Sequence, residues 1–194
     1  QRAKGTIGTF PAKNYVFSEP YGIVLIMSPW NYPFNLAIAP LIAAISAGNC
    51  AVIKCSKESK YTSNLIKEII NNTFDKNYIY CVDSDIDYND VLYQKYDYIF
   101  FTGSSRVGKI IMRAASKNLT PVSLELGGKC PCIVDESANI KIAAKRIVWG
   151  KLLNAGQTCV SVDYVAVHSS VKEKLIRYIL KEIKSRYKDA LNSN

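Results

Sequence analysis

YDYIFFTGSSRVGKIIMRAASK, residues 96–117, changes character in its middle. As far as Thr102 it is an almost unbroken apolar and aromatic run, the composition of a strand buried on both faces. From Ser105 it reads as a helix, and Gly103 and Gly108 mark the handover. Backbone N–H groups at such a turn, with the N-terminus of the following helix, favour an anion such as phosphate. The stretch nearly matches the triphosphate-binding pattern G-x-x-x-x-G-K-[ST], but Ile110 stands where the Mg²⁺-binding hydroxyl is required, which argues against a phosphotransferase. Taken alone, glycines here also fit a plain tight turn.

The same strand-to-helix unit recurs outward from this point. GIVLIM (22–27) reads as a strand, and residues 34–47 as a helix closed by Gly48. CAVIK (50–54) is the next strand, followed by a helix over 59–74 with Ser59 as N-cap and Leu65, Ile66, Ile69 and Ile70 on one face. YIYCV (78–82), a short helix over 88–96, and PVSLEL (121–126) complete the series. Apolar strands alternating with helices predict an α/β fold, a parallel sheet with helices on both faces. Residues 1–20 read as a short extended arm. Beyond the sheet, PCIVD (131–135), a helix over 138–154, VDYVAVH (162–168) and a helix over 171–187 read as the beginning of a second α/β domain.

Composition narrows the functional classes. Hydrophobic residues at 48% and charged residues at 21% describe a globular chain rather than a disordered one. A net charge of +9 points to an anionic partner, but the basic residues are spread along the chain. Their densest run, 172–188, is interleaved with Glu173 and Glu182, and no nucleic-acid-binding module accompanies it, so nucleic acid is not expected. Six cysteines without an N-terminal signal pattern suggest a reducing compartment, the cytoplasm. Cys130-Pro-Cys132 is not C-x-x-C and His168 is the single histidine, which argues against zinc. The longest apolar segment, residues 36–48, is interrupted by Pro40 and falls short of the roughly 20 residues of a membrane span.

Three side chains stand out as chemistry. Glu125 ends an apolar strand in LELGGK (124–129), where parallel sheets bind ligands and where desolvation would raise its pKa toward that of a useful base; an isolated salt-bridged acid is the plainer reading. Cys159, in LNAGQTCVSV (153–162), is flanked by Gly156, Gln157 and Thr158 rather than aliphatics, which favours an accessible thiol over a packed one. A Cys–His pair with His168 has little support. Asn31, between the prolines of PWNYP (29–33), is a rigidly placed amide suited to stabilising an oxyanion, or a structural turn residue.

PWNYP, GNCAVIK, FTGSSRVG, LELGGK and GQTC occur in the order and approximate spacing of the aldehyde dehydrogenase superfamily. The wording PYGIVLIMSPWNYPFNLAI, LTPVSLELGGKCPC and WGKLLNAGQTCV resembles its class 3 and fatty aldehyde dehydrogenase branch, from about residue 15 to about residue 187. The resemblance implies a Rossmann-like sheet and NAD(P)-dependent oxidation of an aldehyde to a carboxylic acid. It makes Cys159 the nucleophile that forms a thiohemiacetal and then a thioester, Asn31 the oxyanion donor, and Glu125 the base for the hydrolytic water. It places NAD or NADP against Met27, Ser28, Pro29, Trp30, Lys54, Gly103, Ser104, Gly108, Leu126 and Gly127. It also implies an arm at 1–19 belonging to an oligomerisation region, a dinucleotide-binding domain at 20–127, the start of a catalytic domain at 128–194, and a homodimer for the full-length protein. The substrates expected are medium or long aliphatic, or aromatic, aldehydes.

Two departures qualify this. Lys54-Cys55-Ser56-Lys57 stands where the family usually reads Lys-Pro-Ser-Glu, so Lys57 replaces an acid that bonds the ribose hydroxyl; a cation there suits the 2′-phosphate of NADP, unless Glu58 takes over one residue later. The family's C-terminal half, with most of the aldehyde tunnel and, in some members, a membrane anchor, is not in this sequence. The 194-residue chain alone is therefore expected to be poorly soluble and nearly inactive, and a truncated, non-catalytic nucleotide-binding or interaction protein is the alternative.

Overall fold

Turn formers fold the first residues back on themselves. β1 (Arg2–Ala3) pairs antiparallel with β2 (Asn14–Tyr15) around a 3-10 turn at Ile7–Thr9. The expected extended arm is thus a small hairpin, because Gly5, Gly8 and Pro11 interrupt it and let the Val16 N–H reach the Gln1 carbonyl at 2.8 Å. The computed structural model describes residues 1–187, and the chain divides into two units, Gln1–Glu125 and Leu126–Asn194.

In the first unit β3 (Ile23–Met27), α1 (Asn35–Ser46), β4 (Cys50–Lys54), α2 (Lys60–Thr73), β5 (Ile79–Cys81), α3 (Tyr88–Leu92), β6 (Tyr98–Gly103), α4 (Ser105–Ser116) and β7 (Val122–Leu126) alternate along the chain. The sheet order is β5-β4-β3-β6-β7, and the β3–β4, β3–β6 and β4–β5 ladders are parallel. Two halves wind outward from the middle, so the order reverses between β3 and β6, the place where such sheets bind ligands.

Apolar burial on both faces holds the sheet. Val24 and Ile26 of β3 pack with Ala37, Leu41 and Ala44 of α1 and Ile66 and Ile70 of α2. Their alternates Leu25 and Met27 point the other way and are buried as well. Each such aliphatic side chain contributes about 1.5–3 kcal/mol by leaving water. The apolar face of α2 is narrower than expected: Leu65 and Ile69 are exposed. Ser59 does not cap α2 with its side chain either. Ser56 caps the preceding turn by accepting from the Glu58 N–H, and the Ser59 hydroxyl donates to the Ser56 carbonyl.

The second unit places β8 (Cys130–Val134) parallel to β9 (Val162–Val167), with α5 (Ile140–Leu152) and α6 (Lys172–Tyr187) packed on them. Val134, Ile140, Ala144, Ile147 and Leu175 form its core, flanked by Cys132, Val165 and Val167. The basic run is the solvated side of α6, where Arg186 pairs with Glu182; Lys188 lies outside the described residues. No helix among the described residues is long and apolar enough to cross a membrane.

At Gly22 the backbone adopts a φ of 121°, which disfavours any side chain. The Asp97 carboxylate occupies the space a Cβ would need while accepting from the Ile23 N–H at 2.8 Å, and the Asn49 side-chain oxygen accepts from the Gly22 N–H at 3.1 Å. These bonds tie the start of β3 to the segments entering β4 and β6. Gly22→Ala is expected to destabilise the first unit by about 1–3 kcal/mol, read as a lower urea midpoint at unchanged slope.

Candidate active site

The carboxyl ends of the parallel strands bring most of the expected cofactor residues together. Met27 ends β3 directly beside Lys54 of β4 in register, with Phe101 of β6 on its other side. The next residue, Ser28, donates its N–H to the Lys54 carbonyl at 3.1 Å, extending the ladder one step past the strand. Residues 28–34 then cross to α1 as a loop that lacks glycine. Trp30 is half exposed on it, while Pro29 and Asn31 are partly buried.

Lys54 is buried, an arrangement that demands partners for its charge. Its ammonium donates to the Ser84 carbonyl at 3.1 Å and lies 4.5 Å from the centre of the Tyr88 ring. Burial lowers its pKa, opposed by Cys55 and reinforced by the nearby positive charge of Lys57. An ammonium has three N–H donors, so the Ser84 bond leaves capacity for a ligand hydroxyl. The Ser84 hydroxyl is buried and has no hydrogen-bond partner among the described residues, while the buried Ser28 hydroxyl faces the Cys55 thiol. An orphaned hydroxyl beside a buried cation costs stability unless a polar ligand satisfies it. Lys57 sits on the exposed turn that follows, with Glu58 exposed next to it.

Across the switch point, Gly103 ends β6 and Ser104 caps α4, its hydroxyl accepting from the Val107 N–H at 3.3 Å. Gly103 has a packing reason: the Phe101 ring occupies the position of any Cβ there. Gly108 is buried in the second turn of α4. Thus the glycine-bearing turn follows the fourth strand of the sheet, whereas dinucleotide-binding sheets commonly carry it after the first. Ser84 and Tyr88 were not legible as site residues, since neither lies in a motif; their places after β5 and at the start of α3 are the only signal.

Glu125 is exposed rather than desolvated, because β7 is an edge strand whose other residues are themselves only partly buried. The desolvation expected of it is therefore not present. Leu126, partly buried, and the exposed Gly127 follow at the start of the second unit.

Within that unit, Cys159 is the exposed one of the six cysteines. It occupies a tight turn closed by the Ser161 N–H donating to the Thr158 carbonyl at 3.1 Å, just before β9. The approach is strained: Asn154, Ala155 and Gly156 have φ of 51°, 54° and 80°, and a left-handed non-glycine residue costs about 1–2 kcal/mol. His168 lies beyond the opposite end of β9, a strand about 17 Å long by its rise per residue. There it caps the turn Ser169–Val171, which removes the Cys–His pairing. Near the Cys159 backbone instead is Cys130, whose Sγ donates to the Cys159 carbonyl at 3.5 Å.

Comparison with known proteins gives the family. Residues 2–193 match the aldehyde dehydrogenase family. The chain is 54% identical to 4,4′-diaponeurosporen-aldehyde dehydrogenase of Staphylococcus aureus, over 92% of this chain and 39% of that protein. It is 51% identical to aldehyde dehydrogenase family 3 comG of Dictyostelium discoideum, over 89% and 38% respectively. Among solved structures, the substrate-bound state of Staphylococcus aureus AldH superposes with a TM-score of 0.91 at 50% identity, covering 96% of this chain and 41% of that one. The chain thus spans about two fifths of the length of the curated relatives it matches. The match along nearly the whole sequence, joined to the sheet order and the ligand-ready carboxyl edge, shows that this chain belongs to the aldehyde dehydrogenase family.

Proposed function

We propose that this chain supplies the dinucleotide site and the nucleophile for oxidation of an aldehyde to a carboxylic acid. The observation that carries the reading is the exposed Cys159 thiol, on a tight turn entered through the left-handed run 154–156, in a chain of this family. The thiolate adds to the aldehyde carbon to give a thiohemiacetal, and the Asn31 amide and the Cys159 N–H stabilise the oxyanion. A bound NAD or NADP would supply the hydride acceptor, and the thiohemiacetal carbon on Cys159 becomes a thioester by losing hydride. Glu125 removes a proton from the water that hydrolyses the thioester and releases the acid.

In this reading Lys54 donates to a ribose hydroxyl, and the Ser28 and Ser84 hydroxyls find partners on the adenosine half of the cofactor. Gly103, Ser104 and Gly108 shape the anion-binding helix start, and Met27, Pro29, Trp30, Leu126 and Gly127 line the remainder. Substrates are medium or long aliphatic, or aromatic, aldehydes. The protein acts as a homodimer in the cytoplasm, and residues 1–19, 20–127 and 128–194 serve as arm, dinucleotide domain and start of the catalytic domain.

In the protein carrying this chain, Cys159→Ser is expected to abolish aldehyde-dependent formation of reduced nicotinamide. Glu125→Gln is expected to lower steady-state turnover by about 10²–10⁴-fold, while retaining a burst of about one reduced nicotinamide per site, since it acts only on hydrolysis. Loss of the burst together with turnover would remove Glu125 from that role. Tight nucleotide binding without any turnover would favour a non-catalytic nucleotide-binding or interaction protein.

Lys57 bears on the choice of cofactor. An exposed charge pair is worth up to about 1 kcal/mol, so Lys57→Glu, which reverses the charge, is expected to shift the kcat/KM ratio of NADP to NAD about tenfold toward NAD. A wild-type preference for NAD of about tenfold or more would show instead that Lys57 does not face the 2′ position.

A further inference from the structure

The amino ends of β8 and β9 lie side by side, with Cys130 opposite Val162. Three residues before Val162, the turn 158–161 presents Cys159 to solvent. The Cys130 Sγ is 3.5 Å from the Cys159 carbonyl oxygen. That oxygen is about 2.4 Å from its own Cα by standard bond lengths, which puts the Cys130 sulfur within about 6 Å of the Cys159 Cα. Adding about 2.8 Å for the Cys130 Cα–Sγ span bounds the Cα–Cα separation at about 9 Å, against the roughly 4.4–6.8 Å of a disulfide, so side-chain rotation with a shift of up to a few ångströms in the exposed turn closes the bridge. The third cysteine of this unit, Cys132, faces the core.

We infer that Cys130 is a resolving thiol for Cys159, and that the two form a reversible disulfide when a hydroperoxide reaches the turn. The Cys159 thiolate attacks the terminal peroxide oxygen and the O–O bond breaks. An alcohol, or water from hydrogen peroxide, leaves with a proton, and Cys159 becomes a sulfenic acid. The Cys130 sulfur then attacks the Cys159 sulfur; the S–O bond breaks, the S–S bond forms, and water leaves with the Cys130 proton. Two thiols are oxidised by two electrons and one hydroperoxide is reduced. An external dithiol reverses the bond by exchange. Without Cys130 the sulfenic acid is open to further peroxide and proceeds to the irreversible sulfinic and sulfonic acids.

Formation of the pair does not depend on Cys159 being the nucleophile; only its effect on turnover rests on that reading. The test is hydrogen peroxide at several equivalents per thiol on the whole protein, since sulfinic and sulfonic acids consume about two and three peroxides per cysteine, followed by non-reducing peptide mapping by mass spectrometry. The expected result is a Cys130–Cys159 linked peptide in the wild type and in Cys132→Ser, its loss in Cys130→Ser, and sulfinic and sulfonic Cys159 in that variant. Dithiothreitol should release the link and restore turnover in the wild type but not in oxidised Cys130→Ser. Overoxidised Cys159 without a link in the wild type, or a link from Cys159 to another cysteine, overturns the inference. A link that forms without changing turnover leaves the disulfide standing and removes the nucleophile assignment.

Discussion

The register of β3 between β4 and β6 is the constraint from which the first unit takes its form. Parallel ladders place Met27 beside Lys54 on one side and Phe101 on the other, so three strands end at one level. A slip of one residue would turn every buried side chain of β3 to the opposite face, and it would carry Ser28 away from the Lys54 carbonyl. The start of the strand is fastened by Asp97 and Asn49 acting on the backbone around Gly22. The carboxyl edge is therefore set by hydrogen bonds made at the far end of the same strand.

Lys54 shows how this scaffold becomes a site. A cation in the dry interior is costly unless its donors are occupied, and here a loop carbonyl and an aromatic ring share the task. Beside it the Ser84 hydroxyl remains without a protein partner among the described residues. Stable cores seldom leave such groups unsatisfied, so the local imbalance favours a ligand rich in hydroxyls and anionic oxygens over an apolar one.

The sheet and its helices were legible because uninterrupted apolar strands and amphipathic helices carry their periods in the sequence, and Gly48 marked the end of α1. Other elements depended on contacts that no local pattern encodes. Ser59 resembles a cap, yet Ser56 draws it into a neighbouring turn, and Leu65 and Ile69 have the right spacing for a face that the sheet does not reach. In the site, motif residues such as Lys54 and Gly103 could be marked in advance. Ser84, Tyr88 and Cys130 could not, since each acquires its place only when distant segments come together. Glu125 illustrates the converse, because the apolar run before it suggested burial, but an edge strand leaves the carboxylate in solvent.

The left-handed run Asn154–Gly156 has a consequence for how the thiol of Cys159 meets its reaction partner. A backbone confined to so small a region of conformational space has few alternative shapes to explore. The freedom that a flexible loop would surrender at each encounter is here surrendered once, as the chain folds. Cys159 therefore stands as a preoriented group, and what remains to be ordered on collision is mainly the incoming molecule.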